Sequence, residues 1–283
     1  MLRVRGHLRQ APKSGLAPSS TEDAAAPRSS PFDQSCGEVR LAVADGASAS
    51  ADSGWWAQQL VQDLCAAPGR AFWDPQAFAR VTARASLRWP ARRRKWLEEV
   101  GRSDTVRWLL HDRMVKGPSA TALGILLWDG LEPPALEHES PDGSSGPPLP
   151  HPGEPTGPWY AVSVGDSCLF HVRGGELLAT VPALPQSLRR RPDLVSAAPG
   201  EEGPRQASTH HGTWAAGDVF YLVTDALARW CLRRLPGERP WPVLDELCGA
   251  DPSAFTEWVR VEREGRRLQD DDITVLRAEC LPC

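Results

Sequence analysis

Apolar and polar residues alternate over Gly37 to Asp45, with Val39, Leu41 and Val43 on one face, which predicts a β-strand that ends at a carboxylate. After Ser53-Gly54 the spacing changes. Trp55, Trp56, Leu60, Val61 and Leu64 recur at helical intervals, and Pro68-Gly69 stops the run. Asp74 to His111 predicts one or two amphipathic helices broken near Pro90. Ser119 to Trp128 is nearly all apolar, the pattern of a strand buried on both faces. Trp159 to Val164 and Ser167 to Val172 predict paired strands around Gly165-Asp166, and Gly174-Gly175 turns the chain into a strand over Glu176 to Val181. Val219 to Thr224 predicts a strand with Asp225 at its end. Helices are expected over Ala226 to Leu235 and Trp241 to Val261, and a last strand over Ile273 to Ala278.

The remaining stretches are polar or rich in Pro, Gly and Ser. Residues 1–20 predict a flexible N-terminus in which Leu2, Val4 and Leu8 support at most one short edge strand. Asp129 to Pro158 reads as a long surface insertion, and Pro182 to Gly212 as loop. Strands clustered around hairpin turns, with long helices between the clusters, favour an α+β fold of antiparallel sheets covered by helices over a regular βαβ alternation.

A chain of 283 residues suits one large domain or two small ones, and nothing in the sequence argues for a second. Lys and Arg number 32 against 36 Asp and Glu, a net charge of −4, so no strongly basic surface for nucleic acid is expected. The seven cysteines are irregularly spaced and imply no disulfide framework; Cys280 and Cys283 form one C-x-x-C with no second pair to complete a zinc site. Met1 to Lys13 is basic without the apolar core of a signal peptide, and no run approaches the ~18 apolar residues of a membrane span. A soluble cytoplasmic protein is the expectation.

Four acidic motifs change the picture. They are Thr21-Glu22-Asp23, Ala44-Asp45-Gly46, Thr224-Asp225-Ala226 and Asp270-Asp271-Asp272-Ile273-Thr274. The last three flank β-branched apolar runs, so rigid strands would hold their carboxylates at a sheet edge. Several Asp side chains meeting at one spot would repel each other unless a hard divalent cation neutralised them. Taken singly, each has a plain structural reading: Asp-Gly and Gly-Asp-Ser are common turns, and a triple Asp is often a solvated corner. Their order and their place relative to the strands are what chance rarely supplies.

The series Glu22-Asp23, Ala44-Asp45-Gly46, Ser119-Ala120-Thr121, Gly165-Asp166-Ser167, Thr224-Asp225 and Asp271-Asp272-Ile273-Thr274 resembles the metal-dependent type 2C protein phosphatases, in particular their compact bacterial branch. The resemblance spans about Glu22 to Ala278, within a phosphatase-like domain expected over residues 21–283. It implies a four-layer α-β-β-α sandwich of two antiparallel sheets flanked by helices, with Mn²⁺ or Mg²⁺ ions in a cleft at one end. By position, Asp45 would bridge two metals and the Gly46 carbonyl would bind one of them. Asp225 and Asp271 would hold the other, Asp23 would contact the site directly or through water, and Asp166 would help form a third, weaker site in some members. Asp45, Asp225 and Asp271 are therefore the expected catalytic carboxylates. The implied reaction is hydrolysis of phosphoserine and phosphothreonine by a metal-activated water attacking phosphorus in line. The implied partner is a phosphoprotein whose phosphorylation a serine/threonine kinase supplies, with no nucleic acid and no membrane.

The chain also departs from the pattern. Ala47-Ser48-Ala49-Ser50 follows Asp45-Gly46 where many relatives carry His or Met and glycines, and Ala226 stands where a glycine is usual. No arginine lies shortly before Glu22 to grip phosphate, which leaves Lys13 and Arg9 as candidates. Arg189-Arg190-Arg191 and His210-His211 are further candidates for the cleft's surroundings. The altered loop also motivates a second reading, a catalytically weak or inactive regulator that binds a phosphoprotein.

Overall fold

The computed structural model describes residues 2–99, 116–129, 156–182, 192–198, 207–235 and 237–281. In chain order its strands are β1 (Leu2–Ala11), β2 (Ala24–Ala26), β3 (Phe32–Cys36), β4 (Glu38–Ala44), β5 (Ser119–Ala120), β6 (Ala122–Trp128), β7 (Thr156–Val164), β8 (Cys168–Arg173), β9 (Glu176–Val181), β10 (Val195–Ser196), β11 (Ser208–Ala215), β12 (Val219–Val223) and β13 (Ile273–Leu281). The helices are α1 (Ser53–Ala66), α2 (Pro75–Ser86), α3 (Trp89–Glu99), α4 (Asp225–Arg234), α5 (Trp241–Gly249) and α6 (Pro252–Glu264).

Two antiparallel sheets form the middle of the molecule, one in the order β3-β1-β13-β12-β8-β9 and one in the order β11-β7-β6-β4-β2. Their inner faces meet in a core built from Leu41, Val43, Ile125, Leu127, Leu169, Leu222 and Leu276. The outer face of the second sheet is covered by α1 and α2, through Trp56, Leu60, Phe78, Leu126 and Tyr160. The outer face of the first sheet is covered by α4, α5 and α6, through Phe170, Tyr221, Leu227, Trp241 and Phe255. This is the expected α+β four-layer sandwich. It also explains the unbroken apolar runs: in β4, Leu41 and Val43 enter the inter-sheet core while Ala42 and Ala44 meet α1, so both faces are dry.

The N-terminal expectation is corrected. β1 is a ten-residue strand inside its sheet, paired to β13 over Arg3–Ala11 and to β3 over Leu2–Gly6. Leu2 and Val4 point into the core between exposed Arg3 and Arg5, an alternation that the surrounding polarity disguises. Neither β2 nor β3 was expected. The helix foreseen over Trp241 to Val261 is two, because Asp251 caps a new helix by accepting from the Ser253 backbone at 2.9 Å and Pro252 opens it. The Asp74 to His111 segment breaks at Leu87-Arg88, with Pro90 in the first turn of α3, and residues 100–111 lie outside the described residues. β11 begins within the expected loop as a polar edge strand. Most of the Asp129 to Pro158 insertion, and all of Arg189-Arg190-Arg191, lie outside the described residues.

Candidate active site

Asp45 follows β4 directly, Asp225 follows β12 and opens α4, and Asp271 and Asp272 precede β13. Asp166 sits in the tight turn between β7 and β8; the pairing expected of these two strands is not made, because the turn carries the chain from the second sheet to the first, where β8 pairs with β12 and β9. Four of the expected carboxylates, Asp45, Asp166, Asp225 and Asp271, line one open cleft of about 590 Å³, together with Gly46, Ala47, Thr121 and Arg229. Asp23 lies behind them and borders a neighbouring cavity. Asp45 feels the charge of each of the other four.

Backbone bonds fix Asp45. Its amide donates to Thr121 Oγ1 at 2.9 Å, its carbonyl accepts from the Thr121 amide at 2.8 Å, and Thr121 Oγ1 shares a 2.8 Å bond with Ser167 of the β7–β8 turn. One threonine thus ties the Asp45 corner to the Asp166 corner. Gly46 has a steric reason to be glycine: a Cβ there would stand 2.6 Å from the Glu22 carbonyl oxygen. Gly165 turns the chain between the two sheets at φ +102°, a conformation L side chains rarely adopt.

The triple Asp divides its work. Asp272 is buried and accepts the Lys13 and Glu22 amides at 2.8 and 2.6 Å, stapling two N-terminal segments to β13. Asp270 accepts the Ser14 amide at 2.9 Å, and Asp271 is left to face the cleft. Glu22 is held in turn by the Ser48 and Ser53 hydroxyls, each donating at 2.6 Å.

Electrostatic strain marks the cluster. Asp23 Oδ2 accepts from the Thr224 and Thr274 hydroxyls at 2.9 and 2.8 Å, while its Oδ1 has no partner. Burial pushes the Asp23 carboxyl up to about 8, and the charges of Asp272 and Asp225 add to the effect against those two hydrogen bonds. Asp45 is pushed well above the usual carboxylate range by burial and then by Asp23, Asp225, Asp271 and Asp166. Asp166 is raised to about 7 by burial and by Asp225, and Asp225 is raised by burial although Arg229 opposes it. Like charges facing one another, with Asp23 Oδ1 and Asp225 Oδ1 buried and unpartnered, fit a cation. The donors are all hard oxygens, which suits Mg²⁺ or Mn²⁺. Among the described residues, no group of three or more His, Cys, Asp or Glu side chains stands close enough to hold one ion as arranged.

Two cations contact the cluster. Arg229, one turn along α4 from Asp225, reaches Asp225 Oδ2 at 2.7 Å and Asp166 Oδ2 at 3.1 Å. Lys13 Nζ lies 3.0 Å from Asp271 and 3.5 Å from Glu22. Burial works against the Lys13 charge, but Asp271, Glu22 and Asp272 outweigh it and hold the ammonium above its ordinary range. Arg9 is not at the cleft. Its guanidinium donates to the carbonyls of Cys248 and Ala250 at 2.7 and 2.6 Å and closes the end of α5. Arg229 escaped the sequence reading, and its only signal was a position four residues after Asp225 on a helix.

The departures from the family pattern also have local accounts. Ala226 lies in the first turn of α4, fully buried in ordinary helical conformation, so glycine is not required there. The loop Ala47 to Ser50 is pinned by the Ala47 amide to the Ser119 carbonyl at 2.9 Å and by Ser50 Oγ accepting from the Ser119 amide at 3.0 Å. His210 and His211 lie on edge strand β11 and do not line the cleft. Cys280 is buried in β13, and Cys283 lies outside the described residues.

No protein-family model matches the sequence, and no curated protein matches it. Solved structures do match along the whole chain. The Mycobacterium tuberculosis serine/threonine phosphatase PstP/Ppp aligns at 16% identity and a TM-score of 0.55, over 100% of both chains. The catalytic domain of PstP in complex with two manganese ions aligns at 16% identity and 0.53, over 99% of this chain and 100% of that one. The photosystem II phosphatase PBCP aligns at 16% and 0.51, over 98% of each. The chain has the type 2C protein phosphatase fold.

Proposed function

We propose that this protein is a metal-dependent phosphoprotein phosphatase that hydrolyses phosphoserine and phosphothreonine. The observation that carries this reading is the cluster of mutually repelling carboxylates at one end of the two sheets, opening on a cleft of about 590 Å³. Asp45 and the Gly46 carbonyl, with Asp225 and Asp271, would hold Mn²⁺ or Mg²⁺, and Asp23 and Asp166 would support them. Divalent cations bound there would supply charge neutralisation for the phosphoryl group and an activated water. Around them, Thr121 fixes the Asp45 backbone, Asp272 fixes the segment carrying Glu22 and Asp23, and the Lys13 ammonium lies beside Asp271 at the rim to meet a phosphoryl oxygen. The described residues lining the cleft include no histidine, and solvent would be the proton source for the leaving alkoxide.

The substrate would be a phosphoprotein opposed to a serine/threonine kinase in a bacterial cytoplasm. No described helix is long and apolar enough to cross a membrane. The test is hydrolysis of p-nitrophenyl phosphate and of a phosphothreonine peptide by chelator-stripped protein with and without added Mn²⁺. Turnover that requires Mn²⁺ supports the reading. A second reading, a regulator that binds a phosphoprotein without turning it over, draws on the ion pairs of Arg229 and Lys13 with the same carboxylates. Tight binding of Mn²⁺ or of the peptide with no phosphate release would favour it.

A further inference from the structure

Arg229 makes three contacts, all at the cleft. Its guanidinium reaches Asp225 Oδ2 at 2.7 Å, Asp166 Oδ2 at 3.1 Å and Gln269 Oε1 at 2.8 Å. It therefore spans two carboxylates of the cluster, one from the β7–β8 turn between the sheets and one from the start of α4. Asp225 keeps its other oxygen, Oδ1, buried and unpartnered, and Arg229 leaves this oxygen available to an ion. The arginine is anchored from behind: Ala226, Leu227, Trp230 and Cys231 of the same helix are buried against the first sheet. A guanidinium carries its charge throughout the physiological pH range, and its planar fork suits two carboxylates at once.

We propose that Arg229 is a built-in cation of the cluster, occupying the position between Asp166 and Asp225 that a further divalent ion would otherwise take. The inference rests on the reading of the cluster as a metal site, and it deepens it. Asp45, Asp225 and Asp271 bind exchangeable metal, while the Asp166 side is closed by the protein's own charge. An ion placed between Asp166 and Asp225 would have to displace the guanidinium and would then be repelled by it at short range. Asp166 is accordingly a partner of Arg229 in this chain, not a ligand.

The experiment counts ions. Chelator-stripped wild type, Arg229→Gln, Arg229→Lys, Asp166→Asn and the Arg229→Gln/Asp166→Asn double variant are dialysed against Mn²⁺, and bound metal per chain is measured by elemental analysis. Circular dichroism confirms that each is folded. The expected result is one more ion per chain in Arg229→Gln than in wild type, and return to the wild-type number in the double variant. Arg229→Lys, which keeps a cation in place, and Asp166→Asn alone should match wild type. Wild type that binds Mn²⁺ while Arg229→Gln gains none would overturn the inference and leave the metal-site reading standing. The same holds if Asp166→Asn alone loses an ion. No Mn²⁺ on any of the proteins would remove the metal-site reading, and the inference with it.

Discussion

Replacing Thr121 by valine isolates the bond that orients Asp45. Threonine and valine have nearly the same shape, so the substitution opens no cavity, yet it removes the hydroxyl that accepts the Asp45 amide at 2.9 Å and bonds Ser167 at 2.8 Å. Thr121 is 2% exposed, so water does not replace those partners. Each buried polar group left unsatisfied costs about 1–3 kcal/mol, and two of them put Thr121→Val about 2–6 kcal/mol below wild type. Thr121→Ser keeps the hydroxyl and loses only the methyl that packs by Gly165, a loss of about 1 kcal/mol. The predicted order is wild type, then serine, then valine. A position that served only packing would rank valine above serine. Urea unfolding read with an unchanged m-value gives the stabilities, and Mn²⁺ binding to the folded variants reports whether Asp45 has loosened. Valine within about 0.5 kcal/mol of wild type, or above serine, would refute the reasoning.

Other expectations concern the site's surroundings and its charge. Gly46→Ala drives a Cβ to 2.6 Å from the Glu22 carbonyl and should cost about 1–3 kcal/mol and weaken Mn²⁺ binding; unchanged thermal melting would contradict this. At the far end of β12, buried Asp218 bonds Arg173 and His171 at 2.7 Å each, and these partners outweigh burial and hold its carboxyl below the ordinary value. Its stabilisation is therefore present above about pH 4 and lost as pH falls through the lower folded value. Asp218→Asn should cost about 3 kcal/mol at neutral pH and flatten the acid limb in urea unfolding at a series of pH values. The cleft carboxylates have the opposite sign, because Asp23 at about 8 and Asp166 at about 7 are raised, chiefly by burial. Across the range where the folded carboxylates keep protons that the unfolded chain has lost, metal-stripped protein should lose stability, from about pH 4 toward about pH 8, by up to ~1.4 kcal/mol per pH unit for each of the two groups, and level off above that. His7 and His210, held low chiefly by burial, contribute the reverse trend below about pH 6.5, so the decline is read most cleanly between about pH 6.5 and 8. Mn²⁺ should restore the loss, and stability that stayed flat across this window without metal would contradict the account.

The sheet architecture was legible because the strands that build it carry local signals. The alternation of Val39, Leu41 and Val43, the glycine turns at Gly165 and Gly174, and the β-branched residues before Asp225 and after Asp272 put each carboxylate at a strand end without reference to any other part of the chain. The turn at Gly165 was legible but its partners were not: it carries the chain from one sheet to the other, and no local signal separates that from a hairpin. What was not legible depends on partners far along the sequence. β2 is three alanines that make a strand only by pairing with Ala42–Ala44 of β4. β1 is weak by composition and is held by β13, some two hundred and seventy residues away. Arg9, a candidate for phosphate, is instead consumed by carbonyls at the end of α5, and no local pattern distinguishes it from Lys13, which does reach Asp271. The split between α5 and α6 was written in Asp251-Pro252, a cap followed by a first-turn proline, but the apolar spacing ran on across it. Charge compensation was equally hidden, since the hydrophobic pattern that located α4 is silent about which of its polar side chains turns into the cleft.

The central claim is that the carboxylate cluster works as a metal-dependent phosphatase centre with Asp45 at its middle. Phosphate release from a phosphothreonine peptide by wild type and Asp45→Asn, each titrated with Mn²⁺ after chelator treatment, tests it most directly. Release should follow Mn²⁺ in the wild type and stay at background in Asp45→Asn, with the variant folded and no less stable than metal-free wild type, since it loses one of the mutually repelling charges. Equal Mn²⁺-dependent release by the two proteins, or release by wild type that persists without metal, would contradict it.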